Sequence, residues 1–263
     1  MSWRLLKNPE QRRGGLLLGF GTLFWKELQE WRQKPLAIAF FLAVTLLIVI
    51  GNIALSLITL PPAPEATALR VAALTDAATV YAKNAVWIML ISIFVSMGLI
   101  VNEQESGTLA WNLTKPLSRP AFLLAKWIAT TLMVWLLGVA TQSGAMLAVE
   151  ASQGAAEPNW EQIAWVHLGA LGAIGFWVLL CLLLGTLFKE QAAVGAGALL
   201  VGLGPLILSN FPGFLQFLVQ IYPTTMLGWA MSIPPNLGQL MGYLVWMAAM
   251  AIATLVIFNQ KEI

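Results

Sequence analysis

Residues 102–126 hold the densest run of side chains able to do chemistry: Glu103, Glu105, Lys115, Arg119 and Lys126, with Ser106, Thr108, Thr114 and Ser118 among them. Carboxylates and cations so close together can pair, cap helix ends or meet a charged partner. They offer no route to catalysis. The single histidine, His167, stands in an apolar stretch without a cysteine or carboxylate close in sequence, and one histidine cannot build a multi-histidine metal site. Ser143 and Ser209 lack an evident base, and membrane hydrolases need a paired base or paired carboxylates. Nothing reads Gly-x-x-x-x-Gly-Lys-Ser/Thr, so no phosphate-cradling loop is present and the chain is not expected to hydrolyse ATP. An intramembrane enzyme and an ATP-independent channel or carrier remain open readings. The local grammar of the run predicts a helix ending in water at Glu103 and Glu105, a break at Gly107 and a short helix over 108–114 exposing Leu109, Trp111 and Leu113. Ser118 is placed as an N-cap, with Pro120 in the first turn of the next helix. Apolar side chains framed by charges of both signs suit a docking surface; they equally suit a capped loop packed on its own protein.

The elements that position this run are set by composition. The chain has 263 residues, 59% hydrophobic and only 10% charged, against about 25% charged in soluble domains. Several apolar runs reach the roughly 20 residues that a helix needs to cross a bilayer. The fold class is therefore an all-α integral membrane protein, with six spans expected near 36–60, 84–101, 123–149, 163–188, 192–210 and 240–258. Segment 1–35 is read as an amino-terminal region with an amphipathic helix, 36–258 as the membrane domain and 259–263 as a tail. Of the 14 Lys and Arg residues, seven precede the first span, five more lie on the same side, and only Arg70 and Lys83 lie opposite. That asymmetry predicts a multi-pass protein of the plasma (inner) membrane with both termini cytoplasmic. Arg12 and Arg13 before an apolar stretch resemble a signal peptide, but no small-residue cleavage site follows. Trp87, Trp127, Trp160 and Trp165 near span ends fit interfacial belts. One cysteine, Cys181, excludes an internal disulfide, and a net charge of +2 argues for no nucleic-acid partner. Segment 211–236, broken by four prolines, is expected to form short helices at the outer face, since its apolar stretch is too short to span.

Before the first span, Leu17, Phe20, Phe24, Leu28 and Trp31 fall on one face at about 100° per residue, with Lys26, Glu30 and Gln33 roughly opposite. This helix either lies in the membrane plane or extends the first span, and Lys26–Glu30 and Glu30–Lys34 can pair along it. Pro35 marks the bend that follows. The fifth span carries Gly195, Gly197 and Gly202, small residues that let helix backbones approach closely either between subunits or within one. Beyond Lys126, which is counted with the adjoining basic segment, polar residues within the spans are few and uncharged: Asn52, Ser92, Ser96, Gln142 and Ser143. No proton relay is visible among them.

The run Glu103-Gln104-Glu105-Ser106-Gly107-Thr108-Leu109, followed by Lys115-Pro116-Leu117-Ser118-Arg119 and Lys126, resembles the signature of ABC type-2 permeases, the membrane subunits of ATP-driven exporters. The similarity covers the whole chain, from Lys26-Glu27-Leu28 and Arg32 ahead of the first span to the tail Lys261-Glu262. It implies a coupling helix between spans two and three that seats in a cytoplasmic ATPase, with Glu103, Glu105, Gly107, Thr108, Leu109, Pro116, Ser118 and Arg119 in the coupling element and Glu27 and Arg32 on the adjoining elbow helix. It implies two ATPase copies carrying the ATP and Mg, no cofactor on this chain, and a second permease copy or sibling permease. Gly195, Gly197 and Gly202 are then expected at the dimer interface or pathway. Gln104 departs from the pattern, since many relatives carry a basic residue there.

Overall fold

A computed structural model describes residues 17–33, 35–59, 85–114, 117–152, 160–208 and 237–260. Every regular element among them is helical. In order these are α1 (Phe20–Arg32), α2 (Pro35–Thr59), α3 (Ala85–Ser96), α4 (Val101–Glu105), α5 (Thr108–Thr114), α6 (Arg119–Trp135), α7 (Thr141–Ser152), α8 (Trp160–Leu187), α9 (Gln191–Leu208) and α10 (Leu237–Gln260). A π-helical turn, Leu136–Ala140, joins α6 to α7. The expected outer segment 211–236 lies outside the described residues.

Four stretches among the described residues are long and apolar enough to cross a membrane: Ile88–Glu105, Arg119–Ala145, Ile163–Leu187 and Leu240–Gln260. Helices α2 and α9 are apolar too, in the positions expected of the first and fifth spans. The chain is thus an all-helical integral membrane protein. Helix α8 is its axis, with 72% of its 163–187 stretch buried against 22% for α10. Around it pack α3, α6, α9 and α10. Trp177, Ile174 and Leu182 of α8 are almost entirely enclosed, and Gly185 lets Ile100 approach so closely that a β-carbon would meet it at 3.1 Å. An α-helix satisfies its own backbone in hydrocarbon, so these helices need only side-chain fit to associate.

One end of the bundle is tied by polar contacts. Asn102, the second residue of α4, bonds Gln191 at the start of α9. Arg119 at the start of α6 donates from Nη1 to the carbonyl oxygens of Phe258 and Asn259, at 3.0 and 2.8 Å. Those carbonyls are among the last four of α10, which have no partner within the helix, and a guanidinium there also meets the negative end of the helix dipole. The Ser118 amide donates to the Leu18 carbonyl at 3.1 Å. The loop 103–119, the start of α1 and the end of α10 therefore share one side of the bundle.

Candidate functional site

Helix α1 is amphipathic as its spacing predicts, but the face it buries is turned from the one expected. Leu23, Glu27 and Trp31 are its buried residues, whereas Leu17 is half exposed. The cause is Glu27. Its carboxylate accepts from Lys126 Nζ at 2.8 Å, and the same ammonium lies 2.7 Å from Glu103 Oε1. The Lys126 side chain is 3% exposed, with Glu27 at 6% and Glu103 at 13%. An uncompensated charge at such depth costs several kcal/mol, so the lysine sits about two turns inside α6 only because two carboxylates reach it. The ammonium also stands 5.2 Å from the Phe122 ring centroid, a further favourable contact for a desolvated cation. Around it, α1 packs along α6.

Glu103 does more than pair. Its second oxygen accepts from Asn112 Nδ2 at 3.4 Å, and Asn112 is a buried residue of α5. One carboxylate thus spans from the buried lysine to the short helix. Gly107, with φ of 69°, turns the chain between α4 and α5, a backbone region that side chains with a β-carbon enter at a cost. The Ser106 and Thr108 hydroxyls bond each other at 2.8 Å across that turn, and Ser106 Oγ donates to the Asn102 carbonyl at 2.7 Å. Ser118 caps α6 by accepting from the Ala121 amide at 3.2 Å, with proline in the first turn.

Leu109 corrects the expectation of an exposed apolar row. It is 1% exposed and belongs to the core, because the turn at Gly107 points its side of α5 at the membrane helices. Trp111, by contrast, is 66% exposed. The short helix therefore does both things the spacing left open, packing inward through Leu109 and Asn112 while presenting Trp111. Glu105 and Arg32 are exposed; Pro116 and the side chain of Leu113 lie outside the described residues. Lys26 pairs with Glu30 at 2.9 Å, and the companion pair to Lys34 lies outside the described residues.

The glycines of α9 are not on an open face. A β-carbon at Gly195 would meet Met97 Sδ at 3.2 Å, one at Gly197 would meet Leu184 Cδ1 at 3.3 Å, and one at Gly202 would collide with Met89 Sδ and approach Trp177 at 3.2 Å. All three are close-approach points against α8 and the segment beginning at α3 of the same subunit. Leu200 and Leu203 are the exposed large residues of α9. Trp127 Nε1 donates to the Gly175 carbonyl of α8 at 2.7 Å.

No group of three or more His, Cys, Asp or Glu side chains suited to a metal occurs among the described residues. His167 packs edge-on against Trp135, with ring centroids 5.8 Å apart. The functional residue that spacing alone missed is Lys126 in its pairing role. A lysine set among Ala121–Ala125 and Trp127–Thr130 needs a buried anion, and Glu27 lies only a small rotation from the apolar face of α1. Both clues are in the sequence.

A comparison with protein families finds one whose model matches residues 22–263, described as "ABC-2 family transporter protein". The match takes in α1, the loop and every helix of the bundle. A comparison with curated proteins finds no match.

Proposed function

The chain belongs to the ABC-2 family of transporters, and from that premise we propose that it is the membrane permease of an ATP-binding cassette exporter. Six spans cross the inner membrane, with the loop 103–119 and both termini in the cytoplasm. The contacts described above support that topology, because α4, the starts of α6 and α9 and the end of α10 are tied by polar contacts on one side. The distribution of lysine and arginine makes that side cytoplasmic. Two copies of a separate ATPase subunit bind ATP and Mg, and a second permease, identical or sibling, completes the pathway. The exposed face of α9 around Leu200 and of α3 around Phe94 is the surface offered to that second permease.

The observation that carries this reading is the buried lysine gripping two elements at once. Helix α5 with Trp111 outward is the coupling helix, α1 is the elbow, and Lys126 fastens α1 to the third span through Glu27 and α4 through Glu103, whose second oxygen reaches Asn112 of α5. A push on Trp111 then cannot move α5 alone. Separating either carboxylate from the ammonium leaves buried charge unpaired, a cost of about 3–5 kcal/mol, so the elbow, coupling helix and third span move together. Glu105 and Thr108 frame the docking surface, Gly107 sets its angle, and Arg119 extends the unit to the end of α10.

The test is copurification with the ATPase partner. Trp111→Glu, placed on an exposed position, is expected to abolish capture of the ATPase while the permease still reaches the membrane and elutes as wild type. Undiminished capture would refute α5 as the docking element.

A further inference from the structure

The apolar stretch Ile88–Glu105 is not one continuous helix, because α3 ends at Ser96 and α4 begins at Val101. We infer that the turn between them is a hinge on which α4 and the loop 103–119 move against α3, and that Gln191 is a positioning residue which, through Asn102, makes the start of α9 follow them. The inference rests on the coupling role given to α5 above.

The backbone marks where the bend falls. The Leu99 amide donates to the Ser96 carbonyl, three residues back, at 3.1 Å, whereas the Met97 amide before it and the Asn102 amide after it reach back four residues, to Ile93 and Gly98. Bonds over three residues have the poorer geometry, so a long helix yields there first.

Helix α9 touches both sides of this turn. At the α3 end a β-carbon on Gly195 would meet Met97 Sδ at 3.2 Å. At the α4 end Gln191 Nε2, one turn earlier on the same face of α9, donates to Asn102 Oδ1. Gly98 leaves room for that second contact, since a β-carbon there would meet Asn102 Nδ2 at 2.7 Å and Cγ at 3.1 Å. The residue after Asn102 is Glu103, held by Lys126. Movement of the loop therefore reaches Asn102 before it reaches α3. The two contacts respond differently: Met97 can slide over Gly195, as apolar neighbours in lipid do, while the carboxamide pair draws Gln191 along. The start of α9 moves with the loop, and the helix that carries Leu200 is reoriented.

The experiment uses the full-length protein in lipid nanodiscs, spin-labelled at exposed Ala110 of α5 and Ala192 of α9 and diluted with unlabelled chain. One narrow distance distribution is expected. Gln191→Ala is expected to broaden it, and so is Gly98→Ala, whose added methyl pushes the Asn102 carboxamide aside. Gly21→Ala, with open space around it, is expected to leave it narrow. Exchanging the pair, Asn102→Gln with Gln191→Asn, is expected to restore the narrow form. In the complex with the ATPase, ATP is expected to shift the distance from Ala110 to exposed Leu168 of α8 while that from Ala110 to Ala192 stays in place. A distribution still narrow in Gln191→Ala and Gly98→Ala would overturn the link. An Ala110–Leu168 distance indifferent to ATP, in a complex that hydrolyses it, would overturn the hinge. Absence of ATPase binding would refute the coupling role of α5 and the hinge with it, whereas the link, read on the permease alone, stands or falls separately.

Discussion

The two ends of this bundle are held by different chemistry. On the loop side, a buried lysine with two carboxylates and a guanidinium on two helix-end carbonyls join four separate elements, α1, α4, α6 and α10, and a serine caps α6. Deeper in the bundle the joints are apolar: Phe41 against Gly138 at the π-helical turn, and Met89 and Trp177 against Gly202. Polar groups there are poorly served, since both amide atoms of the fully buried Gln142 and the Ser143 hydroxyl lack partners. Packing in lipid tolerates sliding, because a helix that shifts exchanges one apolar neighbour for another. Buried ion pairs do not, because separation exposes charge to low dielectric. The ionic end is where a rigid grip is useful, and it carries the one solvent-facing tryptophan of the short helix.

The contrast predicts an order of mutational effects. Lys126→Met is expected to be the most damaging, since it strands two buried carboxylates; a loss of about 3–5 kcal/mol should appear as a large drop in thermal stability in detergent. Adding Glu27→Gln and Glu103→Gln to that variant is expected to restore most of the stability. Gly202→Leu should follow at about 1–3 kcal/mol from overpacking against Met89 and Trp177. Its effect belongs to folding of the single subunit, readable as lower yield of folded monomer, whereas Leu200→Trp on the open face should spare the subunit. Ser118→Ala is expected to cost about 1 kcal/mol through the lost cap on α6, seen as a small downward shift in melting temperature. A larger effect for Gly202→Leu or Ser118→Ala than for Lys126→Met would invert the comparison.

Much of this was legible from the residues in order. The apolar runs marked the bundle because hydrocarbon accepts little else, and the break at Gly107, the short helix and the Ser118 cap followed from local preferences that tertiary structure did not override. The family resemblance carried by Glu103–Leu109 and Pro116–Arg119 agrees with the match over 22–263. What spacing could not show was which neighbour each face meets. Leu109 on a short helix in a polar loop reads as exposed until the turn at Gly107 aims it inward. Gly202 has the same sequence pattern whether it meets Met89 or another subunit. Glu27 was hidden by the habit of placing charge opposite the apolar stripe, when a buried lysine some hundred residues later pulled it in. Burial of a charged residue is a property of a pair, and the partner is set by the fold.

The most direct measurement is the distance between α1 and α5, the proposed elbow and coupling helix, through the proposed ATP cycle. Spin labels on exposed Gln29 and Ala110, diluted with unlabelled chain in the complex with the ATPase, report it with and without ATP. The grip of Lys126 predicts one narrow distribution that ATP leaves in place, and a broad one in Lys126→Met. A distance that shifts with ATP in the native protein would contradict the claim that these elements move as one.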